Sequence, residues 1–444
     1  MPAPNSAFAP NPLEFVRLSP KTSYRTQVLV VGSGSAGAVA AISAARAGAS
    51  VLLVERYGFL GGTSTMVLDT FCGFYVYGRP GGRIVGGVAD DVLAELERHD
   101  RLLIRASTNW RSGDVITYNP HSLKVVWETL ALRAGVKLLY HTLVVETLTE
   151  GDRITGVIAV SKGGVSLIHA DIVIDASGDA DVAAAAGVPF ENRGQQGKGQ
   201  GLTTTFRVGN VDVRRAHAVS GEALQARMIQ EAQAGNYDLP HRGGTLNPTP
   251  LPGEMAANLA RVSGIDPSDP DQLTAAEIEG RRQAVEYVRF LRACIPGYEN
   301  AYLSGLSTQI GIRESRRIVG EYRLTRDDVL QARQFDDQIG LCAWPVEDHT
   351  VKDAIRFEYL PEGKTYGIPY RCLIPQQIEG LLVAGRCLSA DHDAHASVRV
   401  MAQCIAMGQA AGTAAALALE RGEMPRAVPV DHLRRRLRDA GAVV

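Results

Sequence analysis

Apolar runs and an alanine-rich stretch alternate near the start of the chain. Residues 27–32 and 50–55 are apolar runs of strand length, and residues 36–47 between them are rich in alanine. A short, continuous apolar run is typical of a strand that is buried on both faces of a parallel sheet. The pattern therefore predicts a strand, a helix and a second strand, in this order.

The rest of the chain contains further apolar patterns that predict strands and helices, and its composition changes near residue 191. Strands are predicted at 136–140, 144–148, 154–161, 170–178 and 380–385, and helices at 123–134, 181–186 and 398–419. Because only a short turn, Gly151-Asp152, separates two of these strands, a β-meander is expected there. From 191 to about 262 the chain becomes rich in Gly, Pro, Asn and Thr, which indicates a change of domain. Helices are predicted in the second domain at 214–235, 274–293 and 326–333, with a strand-like segment at 309–319.

Charge and cysteine content narrow the classes of partner and location. The chain has 46 Lys and Arg against 48 Asp and Glu, a net charge of −2, without a tail of one sign. A protein that binds nucleic acid or an anionic membrane is expected to show a basic patch, so a small-molecule partner is favoured. The six cysteines include no CxxC pair, which favours a reducing, cytoplasmic location and gives no metal site. The N-terminal residues lack the features of a signal peptide, and the apolar stretch 405–419 is shorter than the roughly 20 residues that span a bilayer.

Glycine is the unusual component, with 46 residues in 444, and three of them form a motif. Gly32-Ser-Gly34-Ser-Ala-Gly37 is a GxGxxG sequence that follows the first predicted strand and opens the first predicted helix. Such glycines allow a tight turn, a close approach of the backbone to a pyrophosphate, and close packing of helix on strand. Glu55 ends the next strand, at a spacing suited to a ribose hydroxyl. The motif predicts a dinucleotide site.

Three features favour FAD over NAD. A second glycine pair, Gly61-Gly62, follows Glu55 and is itself followed by Thr63 and Ser64. No second GxGxxG is present that would provide a separate nicotinamide site. The predicted strand and helix near the C-terminus have the pattern of the first domain, as if the chain returned to complete one cofactor site.

The sequence resembles the FAD-dependent oxidoreductases of the glutathione-reductase-like flavoprotein type. The resemblance extends from about residue 26 to 419. It rests on the GxGxxG motif with Glu55-Arg56, Leu60-Gly-Gly-Thr63, 175–181, 311–322, 368–371 and 382–386 with the helix that follows.

The resemblance implies a set of FAD contacts. Gly32, Gly34 and Gly37 would meet the pyrophosphate, Glu55 the adenosine ribose, and Gly61, Gly62 and Thr63 the phosphate and ribityl side. Val144 would meet the adenine through its backbone, and Gly178 and Asp179 would lie beside the adenosine. Gly385 and Arg386 would hold the pyrophosphate or ribityl chain, although Arg386 replaces the Asp of the commonest version of this motif. The same site is expected to include Ser35, Ala36, Arg56 and Ser64, and the backbone of Ser397, Val398 and Arg399 is expected at the pyrimidine edge of the flavin.

The fold expected from pattern and resemblance is α/β. A Rossmann-like FAD-binding domain with a parallel sheet and a β-meander would consist of two pieces, 26–190 and 370–425. An α+β substrate domain, 191–369, would be inserted between them. An N-terminal surface arm, 1–25, and a C-terminal helix or tail, 426–444, would complete the chain.

Candidate catalytic residues are histidines, because hydride transfer to flavin N5 from a carbon that bears OH or NH requires a base near neutral pKa. His395 is the first candidate, followed by His392, and His349 is a third that would face the substrate. Alternatively, a histidine of the 387–399 loop caps the helix or bonds a carbonyl group.

Other polar residues admit two interpretations each. Arg313, Glu314, Arg316 and Arg317 could include a clamp for a substrate carboxylate, but an ion-pair network is favoured. Tyr366 and Tyr370 could line the pocket or pack in the core. Cys72 raises the alternative of a covalently attached flavin.

The function expected is therefore dehydrogenation of a small polar substrate, such as an alcohol, a sugar-like compound or an amine. Oxygen, a quinone or a carrier protein would accept the electrons, and a homo-oligomer is possible. One alternative is an ene-reductase similar to fumarate reductase, with an arginine as proton donor. RNA-modifying flavoproteins are an alternative of another class that the net charge disfavours, and a non-catalytic flavin-binding scaffold is the least favoured.

Overall fold

The computed structural model describes residues 19–79, 81–105, 111, 113–350 and 355–444. Most of the expected N-terminal arm, residues 1–18, lies outside the described residues, and the first strand already begins at Thr22. The strands are β1 Thr22–Val31, β2 Val51–Val54, β3 Thr70–Phe71, β4 Leu103–Arg105, β5 Val115–Thr117, β6 Lys137–Leu139, β7 Leu143–Glu150, β8 Arg153–Ser161, β9 Gly164–Asp175, β10 Phe190–Glu191, β11 Phe206–Gly209, β12 Thr245–Pro248, β13 Met255–Asn258, β14 Tyr302–Leu306, β15 Arg317–Ile318, β16 Gln338–Cys342, β17 Val346–Asp348, β18 Arg356–Glu358, β19 Tyr366–Pro369 and β20 Leu381–Val383. The helices are α1 Ser35–Arg46, α2 Thr63–Met66, α3 Val88–His99, α4 Pro120–Arg133, α5 Asp181–Ala185, α6 Val213–His217, α7 Gly221–Gln233, α8 Pro270–Cys294, α9 Arg326–Leu330, α10 His392–Val398, α11 Met401–Arg421 and α12 Val430–Asp439.

The central sheet has the parallel strands and the meander expected from the sequence. Its order is β6-β2-β1-β9-β8-β7, with β20 also paired to β9. Strands β6, β2, β1, β9 and β20 are parallel, whereas β7, β8 and β9 form an antiparallel meander. β9 pairs with β8 along its first half and with β20 at its end. The C-terminal segment therefore joins the sheet beside the strand that precedes residues 176–178.

Helix α11 packs directly on α1, and two glycines make this possible. A Cβ atom at Gly408 would lie 2.1 Å from the carbonyl oxygen of Ala36, and one at Gly412 would lie 2.1 Å from that of Ala40. Side chains at these positions would push the helices apart, because a packed interior has no room for added atoms. Among the described residues, α11 is the one helix long and apolar enough to cross a membrane by length and composition, and 89% of that apolar window is buried. The expectation of a buried helix at 405–419 is confirmed.

A second hydrophobic core forms between helices α6, α7 and α8 and the four-stranded antiparallel sheet β12-β13-β11-β14. Its fully buried residues lie between Phe206 and Ala301. The hydrophobic core that contains the buried residues of α1 and α11 is called the first core here. Buried residues from Leu324 to Ile374 belong to this first core and not to the second. The domain boundaries at 190/191 and 369/370 stay a prediction.

Three predicted elements differ from the observed ones. The helix expected at 214–235 is two helices, because Ser220 caps a new helix by accepting a hydrogen bond from the Ala223 amide at 3.1 Å. The helix expected at 398–419 begins at Met401, since the chain is extended at Val400 and α10 precedes it. Of the strand-like segment 309–319, only β15 and an isolated bridge between Gly311 and Thr203 are strand-paired.

Candidate active site

The GxGxxG turn forms the floor of a large cavity. Gly32 has a φ of +87°, and a Cβ atom there would lie 2.6 Å from the carbonyl oxygen of Ala176. At Gly37 a Cβ atom would lie 1.9 Å from the carbonyl oxygen of Gly32, so these two glycines are required for packing of the turn itself. At Gly34 no atom lies within 4 Å of the Cβ position, and this glycine faces the cavity.

The N-terminus of α1 is suited to bind an anion. Gly34 provides no side-chain cap, and the first turn of α1 holds no acidic residue. The hydroxyl group of Ser35, which lines the cavity with Ala36, is buried without a hydrogen-bond partner among the described residues. Amide groups at a helix N-terminus bind phosphate through their unpaired donors and the helix dipole. This donor set fits the pyrophosphate of a dinucleotide.

The second glycine pair lies against the first turn. Gly61 donates its amide to the carbonyl oxygen of Ser33 at 2.8 Å, and a Cβ atom at Gly62 would lie 2.7 Å from the Cα atom of Gly34. Gly62 and Thr63 line the cavity. Gly61 and Ser64 lie behind this wall, where the Ser64 hydroxyl donates to the carbonyl oxygen of Gly61 at 2.7 Å.

Glu55 lies at the end of β2 and lines the same cavity, as do Arg56 and Val144. One carboxylate oxygen of Glu55 accepts the Ser33 amide at 2.9 Å and also the Ser33 hydroxyl. The other accepts the Tyr57 amide at 2.9 Å. These bonds hold the carboxylate at the place where the motif requires a partner for a ribose hydroxyl.

The end of β20 completes the cradle from the opposite side. Gly385, Arg386 and Gly178 line the cavity, whereas Asp179 does not. Arg386 Nη2 lies 2.9 Å from Asp179 Oδ1, and Arg386 Nη1 is buried without a hydrogen-bond partner among the described residues. The open glycine cradle, the uncapped helix end and this guanidinium together fit FAD.

The cavity is larger than a typical ligand pocket. It measures about 1320 Å³, against roughly 300–1,000 Å³ for a typical ligand pocket. Beyond the cradle it continues along the second core, past α7, β12 and β13. This continuation, which we call the distal compartment, is lined among others by Leu224, Met228, His241, Leu246, Asn247, Ala257, Arg261, Arg313, Trp344, Glu347, His349 and Phe357.

The histidines of the 387–399 loop do not reach the cavity. His395 is fully buried, and its Nε2 lies 2.7 Å from the carbonyl oxygen of Arg386, which fixes Nε2 as the donor. Burial, and then the cations Arg317 and Arg399, hold the pKa of His395 well below its ordinary value. The alternative in which a histidine of this loop bonds a carbonyl therefore describes His395.

His392 lies between two carboxylates. Its Nδ1 is 3.0 Å from Glu314 and its Nε2 is 3.3 Å from Asp348. Burial opposes the charged ring, but the hydrogen bonds with Asp348 and Glu314 raise the pKa of His392. Asp348, His392 and Asp393 have ligand-type atoms within 4.8 Å of one another, but Arg356 Nη2 lies 3.2 Å from Asp348 and 2.5 Å from Asp393.

His349 alone among the three proposed catalytic histidines lines the cavity. Its Nδ1 lies 2.9 Å from Arg261 Nη2, and its Nε2 lies 2.9 Å from Glu347 Oε1. Since arginine is a donor only, Nδ1 accepts and Nε2 carries the proton. Burial and the cation of Arg313 lower the pKa of His349 to about 3. Both nitrogens of this neutral ring are occupied, which suits a positioning role better than that of a base.

The four charged residues of 313–317 divide into two groups. Glu314 pairs with Arg317 at 3.2 Å as well as with His392, and Arg316 pairs with Asp181 at 3.2 Å. Arg313 instead lines the cavity and donates to the carbonyl oxygen of Gly201 at 2.7 Å. The ion-pair network is thus found for three residues, and Arg313 is the one whose position suits a clamp.

Of the three residues 397–399 that were expected at the flavin, only Arg399 lines the cavity. The Ser397 hydroxyl donates to the carbonyl oxygen of Trp344 at 2.5 Å and lies 2.6 Å from the Tyr366 hydroxyl, in the core. Ser397 and Val398 do not line the cavity, because they lie inside α10 and not at the start of a long helix. The residues that line the cavity there are Arg399, Val400 and Met401.

The remaining candidates, two tyrosines and a cysteine, differ in whether they line the cavity. Tyr366 and Tyr370 are buried in the core and do not line the cavity. Cys72 does line it, and a covalent flavin stays untested.

Sequence reasoning missed Arg261, His241 and Glu347. No motif surrounds these residues, and their meeting depends on contacts between distant segments. The six cysteines, which all lie among the described residues, form no disulfide bond, and the cytoplasmic location stays a prediction.

One family model and several known proteins are similar to this chain. A family model described as FAD dependent oxidoreductase matches residues 27–437. A thiamine thiazole synthase from Aeropyrum pernix is 28% identical over 255 residues, which cover 54% of this chain and 84% of the relative. Two solved structures superimpose over most of the chain. One is a geranylgeranyl bacteriochlorophyll reductase-like protein from Thermoplasma acidophilum (TM-score 0.49, 14% identity, 95% of this chain and 85% of the other). The other is p-nitrophenol 4-monooxygenase from Pseudomonas putida (TM-score 0.48, 12% identity, 94% and 84%).

Proposed function

Because this chain belongs to the FAD-dependent oxidoreductase family, we propose that it exchanges a hydride equivalent between FAD and a small polar organic molecule held in the distal compartment. The observation that carries this proposal is the continuity of the cavity from the glycine cradle to the second core. When bound, FAD supplies the two-electron chemistry. Oxygen, a quinone or a carrier protein would take the electrons onward.

The residues of this chain would bind and orient FAD from three sides. The turn at 32–37 and Gly62 would accept the pyrophosphate, Glu55 would bond the adenosine ribose, and Arg386 would add a cation near the phosphates. Arg399, Val400 and Met401 would border the flavin at the start of α11, where amide donors favour negative charge.

His241 is the proton acceptor that the cavity offers. It lines the distal compartment, it is 4% exposed, and its Nδ1 has no hydrogen-bond partner among the described residues. Burial and the cation of Arg261 lower the pKa of His241 to about 3, so the ring is neutral at pH 7. To act as the base it needs negative charge from the bound substrate to offset these cations. His349 would hold Arg261 and Glu347 in place beside it.

The test is anaerobic bleaching of the flavin near 450 nm by a panel of alcohols, sugars, amines and hydroxy acids. A compound that bleaches the wild-type flavin should do so at least a hundredfold more slowly in His241→Gln, with unchanged flavin content. His217→Gln is the matched control, because this exposed histidine borders the same cavity. If no donor bleaches the flavin and chemically reduced enzyme also fails to transfer hydride, the proposal is wrong.

Reduction of an activated C=C bond is a second candidate. It is favoured by Arg313, whose pKa is lowered to about 9 by burial and by Arg399 and Arg261, because such a guanidinium is a better proton donor than an exposed one. Arg316, in contrast, pairs with Asp181 and does not line the cavity. Enoate-dependent reoxidation of the reduced enzyme, abolished in Arg313→Gln, would select this candidate.

A further inference from the structure

Two arginines line the cavity, Arg313 in the distal compartment and Arg399 just before α11, without an ion pair to any carboxylate among the described residues. Arg313 and Arg399 both line the cavity, and neither forms an ion pair with any described residue. Arg313 donates to the Gly201 carbonyl, and Arg399 Nη2 donates to Gln200 Oε1 at 2.9 Å. Arg399 Nε is buried and makes no hydrogen bond to any of these residues. Two guanidinium groups therefore line one cavity and lie close enough for the charge of Arg399 to lower the pKa of Arg313.

Glu347 is a carboxylate that interacts electrostatically with both arginines, and its single charge offsets one of their two. Glu347 accepts the His349 Nε2 proton at 2.9 Å through one oxygen and the Trp344 Nε1 proton at 2.9 Å through the other. Burial opposes its charge, but His349, Arg399 and Arg313 lower the pKa of Glu347 to about 2, so it is ionised. At this place Arg313 and Arg399 bring two positive charges to the cavity wall and Glu347 brings one negative charge, while His241 and His349 are neutral.

An excess of positive charge in a partly dehydrated wall is unfavourable unless an anion offsets it. Guanidinium groups bind planar two-oxygen anions through paired donors. The neighbouring wall is apolar, with Trp344, Ile355 and Phe357 on the cavity, which fits a carbon skeleton better than a hydrated inorganic ion. We infer that the distal compartment binds a small organic carboxylate, whose carboxyl group lies between Arg313 and Arg399.

This inference rests on the proposed function and names its substrate class. An anion at this place would also offset the cations that depress basicity at His241, so carboxylate binding and proton acceptance would support each other. Neutral alcohols, sugars and amines without a carboxyl group would then be poor substrates.

The test uses the oxidised holoenzyme and the absorbance of its flavin as a reporter of binding. At constant ionic strength, acetate, malonate and succinate are compared with acetamide, malonamide and inorganic phosphate. At least one carboxylate is expected to perturb the spectrum in a saturable manner, at least tenfold more tightly than its amide. Arg313→Gln should weaken this binding at least tenfold and Arg313→Lys less, whereas Arg323→Gln, an exposed arginine paired with Glu191, should have no effect. Flavin content and circular dichroism identify variants that fail to fold, and for these Arg399→Gln is the substitute.

The inference is overturned if carboxylates and amides bind equally, if phosphate binds and no carboxylate does, or if the Arg313 and Arg399 variants bind as the wild type does. Its failure is separable from that of the proposed function. Bleaching by neutral donors without carboxylate binding would leave the proposed function intact. If carboxylates bind but no ligand exchanges a hydride with the flavin, the inferred carboxylate site is supported and the proposed function is wrong.

Discussion

His395 donates its Nε2 proton to the carbonyl oxygen of Arg386 at 2.7 Å. This bond joins the interior of α10 to the residue that follows Gly385 at the end of β20. Since the ring is buried and does not line the cavity, its contribution is to fix the strand end on which the cofactor would lie. The residue that was the first candidate for the base is thus a positioning residue.

Replacement of His395 by Gln should therefore weaken FAD binding and leave the chemistry per bound FAD nearly unchanged. We expect a tenfold higher Kd for FAD, about 1.4 kcal/mol, and a bleaching rate within about threefold of wild type when FAD is saturating. Fluorescence titration of the apoprotein measures the first, and anaerobic stopped-flow absorbance the second. A hundredfold slower bleaching with unchanged FAD affinity would restore His395 as the base.

Gly34→Ala should give a folded protein that binds FAD poorly. No protein atom lies within 4 Å of the added methyl group, so the fold has no reason to change, but the methyl group would occupy the space of the pyrophosphate. We expect FAD affinity to fall at least a hundredfold at an unchanged melting temperature of the apoprotein. Gly163→Ala, in the exposed turn between β8 and β9, is the control. Gly37→Ala should instead prevent folding, because its Cβ would lie 1.9 Å from the Gly32 carbonyl oxygen.

Arg386→Met should weaken FAD binding by removing a cation from the cradle. The guanidinium is held by Asp179 at 2.9 Å, and its Nη1 is buried beside the cavity with no hydrogen bond to a described residue. A charge-assisted bond to phosphate in such a place contributes about 2 kcal/mol, which corresponds to a roughly thirtyfold higher Kd. Raising the salt concentration should weaken FAD binding in the wild type more than in the variant. Equal Kd values for both proteins would show that Arg386 serves only to hold Asp179.

The elements of the first core could be predicted from the sequence because their signals are local. Each of these signals lies within about ten residues of sequence. They are the apolar runs of β1, β2, β9 and β20 and the GxGxxG turn. The spacing to Glu55 depends only on one β-α-β unit. The pattern at 380–385 and in the helix after it already indicated that the chain returns to the cofactor site, and the resemblance assigned Gly385 to the cofactor.

The polar wall of the distal compartment could not be predicted, because it depends on contacts between distant segments. Arg261 meets His349 across 88 residues, and Arg399 meets Gln200 across 199. No periodicity or motif reports such pairs. His392 and His395 were predicted to be catalytic because several polar residues lie close together in this loop. Such crowding in the sequence does not show which way a side chain faces. Both residues belong to α10, and neither lines the cavity.

The ionised cluster of His392, Glu314 and Asp348 should make stability depend on pH. Because the pKa of His392 is raised in the folded protein, its contribution is complete below the unfolded pKa of about 6.5 and is lost as the pH rises through the folded pKa. Glu314 and Asp348 have lowered pKa values, so their contribution is present above about pH 4 and is lost on acidification.

The variant His392→Gln tests this pH dependence, because it keeps a polar side chain of similar size but removes the charge. At pH 6 it should lower the free energy of unfolding by about 2 kcal/mol, and at pH 9 by clearly less. Denaturant unfolding of both proteins at the two pH values measures the difference, with His432→Gln in α12 as the control. A loss of stability that is the same at pH 6 and pH 9 would mean that the ring is neutral in the fold.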